Sequence, residues 1–109
     1  MDTGTNGSLM AALRAQIDTV DDDLVAVLAR RFAVTRQVGR IKATAGLPAR
    51  DARREAAERD RMCDLARREG VDPDLVGQVF DLVAAQAVAE HEQAAREALG
   101  SAGPVVAKG

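Results

Sequence analysis

The chain has 109 residues, rich in Ala, Arg, Val and Leu, with two Phe and no Tyr or Trp, a mixture that suits packed helices and predicts an all-α fold of one domain. Its 15 basic and 17 acidic residues give a formal charge of -2, which leaves no overall field to attract nucleic acid, and the missing aromatics leave no platform for stacking bases. A lone cysteine, Cys63, excludes an intrachain disulfide and any Cys-x-x-Cys metal or redox motif.

The N-terminal run MDTGTNGS lacks the basic and apolar regions of a signal peptide, and no apolar run approaches the ~20 residues that span a bilayer. With the single cysteine, this predicts a cytoplasmic protein that does not meet the membrane. Residues 1–7 and 100–109 are Gly-containing and read as flexible tails around a working domain at 8–99. Inside it, Gly46-Leu47-Pro48 breaks the chain once. Gly70-Val71-Asp72-Pro73 breaks it again, with Asp72 as N-cap and Pro73 at the first helical position. Three helices are predicted, near 9–44, 51–69 and 73–98.

The first helix carries Leu13, Ile17, Val20, Leu24, Val27, Val34, Val38 and Ile41 in steps of four and three, a heptad seam. About 35 helical residues would extend roughly 50 Å, longer than a domain this size wraps in one copy, so the seam calls for a partner, most simply its twin. Arg31 fills the seam position between Val27 and Val34. Two readings stand for it: a salt bridge to Glu55 or another carboxylate that fixes register, or an anchor for a bound anion. Lys42 lies three turns plus about 20° further on, so the two cations share a face and can converge on one small anion. Alone, Lys42 is a solvated helix end. Arg14 is about 25 Å from Arg31 along a straight helix, too far to share a small ligand within one chain, though an antiparallel partner could bring it close.

The second helix opens with Asp51, Arg54 and Glu55 on one side. Asp51 reads as an N-cap, and Glu55, in line with Met62, as a group that can hold a hydroxyl or amine. The third carries Val76, Phe80, Val83, Ala84, Ala87, His91 and Ala94 down one stripe, which turns the chain's one histidine inward. His91 is then either a satisfied core histidine or a donor into a polar pocket. With no second histidine no metal site is expected, and no phosphate-cradling loop, serine elbow or Cys/His pair is present, so the expected chemistry needs neither cofactor nor nucleophile.

Three blocks, L-R-A-Q-I-D-T-V-D-D-D-L (13–24), R-R-F-A-V-T-R-Q-V-G-R-I-K (30–42) and P-A-R-D-A-R-R-E (48–55), resemble the all-helical chorismate mutases, and the resemblance covers about 10–95. It implies an intertwined homodimer of three-helix chains whose two sites are each built from both subunits. The small dianionic substrate chorismate rearranges there to prephenate without a cofactor. By the resemblance, Arg14 comes from the partner chain to bind one carboxylate, Arg31 and Arg54 bind carboxylates from the home chain, and Lys42 donates to the ether oxygen and a carboxylate. Asp51 and Glu55 hold the ring substituent at C4.

Two positions depart from that pattern: His91 stands where the family has Gln or Glu as second donor to the ether oxygen, and Ala87 where many members have Ser. Both touch substrate identity more than fold. The same pocket fits 4-amino-4-deoxychorismate, since two acids can pair with an ammonium. An isochorismate-pyruvate lyase and a non-catalytic helical module docking to another pathway enzyme are the further alternatives.

Overall fold

The computed structural model describes the backbone of residues 2–108 and the side chains of residues 4–100. Among the described residues all regular structure is helical, in α1 (Asp2–Ala45), α2 (Ala52–Glu69) and α3 (Pro73–Lys108). The all-α class and the order of three helices are as the periodicity predicts. Both outer helices run further than expected: α1 starts at Asp2 rather than near 9, and α3 continues to Lys108 rather than ending near 98. The segments read as tails are thus largely helical in backbone, while their extreme ends, Met1 and Gly109, lie outside the described residues. The physical reason is cooperativity: an interior Gly costs about 1 kcal/mol but does not terminate a helix already propagating.

The chain divides into two compact units, one through Val34 and one from Thr35 onward. The first is the N-terminal stretch of α1, and its seam is uncovered: Leu13, Ile17, Val20, Leu24 and Val27 are 48 to 63% exposed.

The second unit contains the end of α1, α2 and α3. Its turns are set by two left-handed glycines, Gly46 at φ 69° and Gly70 at φ 73°. At each, the next residue's amide reaches back to a carbonyl in the last helical turn, Leu47 N to Lys42 O at 2.8 Å and Val71 N to Ala66 O at 2.8 Å. Only a residue without a Cβ takes that conformation freely, so these glycines stop α1 and α2 where the sequence predicts. Asp51 caps α2, accepting from Arg54 N at 3.1 Å, and Asp72 caps α3, accepting from Asp74 N at 2.9 Å, with Pro73 next to it as expected. The buried residues among those described are mostly small, Ala66 on α2 and Ala84 and Ala87 on α3, with Phe80 and His91. Small side chains let the helices approach closely but bury little area each. No helix among the described residues is long and apolar enough to cross a membrane.

Candidate active site

In the second unit the end of α1, the connection 46–51 and α3 meet at one backbone atom, the Ala49 carbonyl. Lys42, in the last turn of α1, donates its Nζ to Ala49 O at 3.1 Å. His91, on α3 and only 7% exposed, places Nδ1 at 3.3 Å from the same oxygen and Nε2 at 2.8 Å from Thr35 O on α1. The histidine does face inward, and both of its nitrogens lie against backbone carbonyls. Ala87 is buried one turn earlier on the same stripe.

Two residues past Ala49, Asp51 turns the chain into α2. Its capping role fixes the helix start, and Arg54 and Glu55 follow in the first turn. Arg54 is largely exposed and pairs with Glu58 at 2.9 Å, while Glu55, mostly covered, pairs with Arg50 at 3.4 Å. An exposed i,i+4 pair is worth about 0.3–0.5 kcal/mol, so the Arg54 guanidinium is easily drawn to a better anion.

The structure therefore brings Lys42, His91 and Asp51 to one short connection, with Arg54 and Glu55 on the turn that follows. Arg31 is half-buried and Arg14 exposed, both in the first unit.

Three charged groups beside these went unmarked in the sequence. Arg36 pairs with Glu90 at 3.3 Å, joining α1 to α3 next to His91. Arg50 and Arg59 line a groove of about 330 Å³ that also includes Glu55, Asp81, Phe80 and Ala84. Arg59 lies across Gly77 and forks onto Asp81 at 3.0 Å; the hydrogen bond and charge of that carboxylate hold the guanidinium above its ordinary pKa. Gly77 inside an otherwise regular helix was the one available signal for this close approach. Among the described residues no group of three or more His, Cys, Asp or Glu side chains could hold a metal ion.

In chemical terms the connection presents one ammonium hung on a neutral acceptor, a guanidinium in a weak surface pair, and two carboxylates at a helix start. That set can exchange internal contacts for those of a small anion bearing hydroxyl or amino substituents.

The chain is similar to known proteins. The chorismate mutase type II family matches residues 13–92. The T-protein of Enterobacter agglomerans is 39% identical over 71 residues, 65% of this chain and 19% of that protein. The chorismate mutase of Methanocaldococcus jannaschii is 28% identical over 74 residues, 68% of this chain and 75% of that one. The bifunctional chorismate mutase/prephenate dehydratase of Escherichia coli is 27% identical over 100 residues, 92% of this chain and 26% of that protein. This chain thus spans about a fifth to a quarter of the two longer relatives and most of the shorter one. With helical architecture, motif spacing and family match in agreement over most of its length, the chain belongs to the chorismate mutase type II family of isomerases.

Proposed function

We propose that this protein rearranges chorismate to prephenate, in sites completed by a second copy of the chain. The carrying observation is the Lys42 contact: a half-buried ammonium whose hydrogen bond goes to the neutral Ala49 carbonyl. A substrate carboxylate or a developing oxyanion is a stronger acceptor than an amide carbonyl, so Lys42 can pass to the substrate at little cost.

The reaction is unimolecular: the ether C–O bond breaks as the new C–C bond forms, and no group is transferred to the protein. What the protein supplies is confinement of the dianion in a compressed chair and positive charge beside the ether oxygen as it becomes negative. Lys42 provides that charge. Arg31 and Arg54 bind carboxylates from the home chain, Arg14 reaches in from the second copy, and Asp51 and Glu55 hold the substituent at C4. The need for a second copy is supported by the seam, whose residues from Leu13 to Ile41 stand 41 to 64% exposed on the single chain. Apolar surface of that extent is stabilised by about 25 cal/mol per Å² when covered.

A second reading, 4-amino-4-deoxychorismate as substrate, is favoured by Glu55, which already accepts a cationic nitrogen from Arg50 at 3.4 Å. Incubating the purified protein with chorismate, its 4-amino analogue and isochorismate, and identifying products by chromatography and mass, separates these. Prephenate from chorismate is the expected result. Turnover of the amino analogue alone would reassign the substrate, pyruvate from isochorismate would make it a lyase, and consumption of none would overturn the enzymatic reading.

A further inference from the structure

We infer that His91 is a positioning residue, which sets the place of the Lys42 ammonium by holding the carbonyl of Ala49. The inference rests on the chorismate mutase reading for its kinetic arm and on geometry alone for its structural arm.

The ring is enclosed on two sides. Nε2 is 2.8 Å from Thr35 O and Nδ1 3.3 Å from Ala49 O, so the imidazole bridges α1 and the connection 46–51 from its seat on α3. Its third neighbour is Gly39, a buried position where an added Cβ would stand 2.6 Å from His91 Cδ2. The ring therefore lies against bare backbone, and its orientation is fixed by a notch that only glycine leaves open. Both nitrogens are turned to backbone carbonyls, so in the single chain the imidazole is engaged with structure.

Its influence passes through Ala49. A carbonyl oxygen has two lone pairs, and this one faces the Nδ1 of His91 and accepts from the Nζ of Lys42, the latter at 3.1 Å. Lysine has a flexible four-carbon stem, so the site of its ammonium before substrate arrives is set by the acceptor it meets. With Nδ1–H of His91 donating to it, that acceptor is stationary. Released, it lets the connection and the ammonium drift, and a displacement of about 1 Å near the reacting atoms costs on the order of 100-fold in rate.

The test compares His91→Ala, His91→Gln and Gly39→Ala in the full chain, with helical content checked by circular dichroism. Hydrogen exchange is read at the Leu47 amide, which bonds to Lys42 O, and at Leu65 in α2 as a control. Steady-state kinetics are measured on chorismate. For His91→Ala we expect about tenfold faster exchange at Leu47 with Leu65 unchanged, and kcat lower by at least about tenfold with KM within about threefold. His91→Gln, whose one amide group can serve only one of the two carbonyls at a time, is expected to fall between. Gly39→Ala retains the imidazole but displaces it, and should reproduce the faster Leu47 exchange even if His91→Ala proves too unstable to study. Unchanged Leu47 exchange in the folded variants overturns the inference, as does full kcat in a variant whose connection has loosened. If the wild-type chain does not convert chorismate, the functional reading fails by itself, and the exchange data still decide whether His91 holds the connection.

Discussion

Gly39 and His91 interlock: the imidazole occupies the space that a Cβ at residue 39 would need, 2.6 Å from Cδ2. Three helical glycines of the chain therefore respond differently to alanine. Gly7 meets nothing within 4 Å, and Gly7→Ala should stabilise by about 0.5–1 kcal/mol, the ordinary helix-propensity gain. At Gly77 the obstacle is the end of the Arg59 side chain, which can swing aside, so the gain and the lost contact should nearly cancel. Gly39→Ala strikes a buried ring held at two points, and overpacking of about 1–3 kcal/mol should exceed the gain. Urea midpoints at one fixed protein concentration check this order.

Asp51 combines a helix cap with a proposed substrate contact, and two substitutions separate them. Asp51→Ala should cost about 1 kcal/mol of stability, since the Arg54 amide loses its acceptor. Asp51→Asn caps equally well and should leave stability within about 0.3 kcal/mol while lowering kcat/KM on chorismate. Unaltered turnover in the Asn variant would show that the carboxylate does no more than cap.

The proposed sharing of the site between copies is open to complementation. Arg14→Ala and Arg31→Ala homodimers should each be nearly inactive, because removing a charge-assisted partner of the substrate costs about 2–4 kcal/mol in the barrier. Mixed and re-equilibrated, they should recover up to a quarter of wild-type activity, the statistical yield of one intact site in half of the molecules. Failure to recover activity would mean that each site takes both arginines from one chain, and would overturn the cross-chain role of Arg14.

The uncovered seam yields a prediction about assembly. Leu24 is 57% exposed on the single chain, so Leu24→Glu should do little to that chain's own folding. At the centre of a paired interface it removes an apolar contact worth about 1.5–3 kcal/mol in each copy and adds a charge. Sedimentation should show wild-type dimers, and a dissociation constant raised by more than 100-fold in the variant.

Much of this was legible from residue spacing. The heptad from Leu13 to Ile41 is a long-range pattern that survives any local detail, and Gly46, Asp51, Gly70 and Asp72 are stop and start signals whose mechanism is local. The inward turn of His91 followed from helical period alone. Helix ends away from such signals were not legible, because Gly4, Gly7 and Gly100 weaken a helix without ending it. The contacts of Arg36, Arg50 and Arg59 were hidden for another reason: which of many surface cations meets which acid depends on helix packing that no spacing encodes.

The acceptor at Ala49 is a main-chain oxygen, and every amino acid supplies one. Residue 49 is thus free to vary in identity, while the number of residues between Gly46 and Asp51 is not: inserting or deleting one would carry that oxygen out of reach of Lys42 and His91 together. Drift within this family branch should leave its mark there as a strictly kept loop length around an unremarkable side chain, a constraint that substitution scanning of residue 49 would pass over.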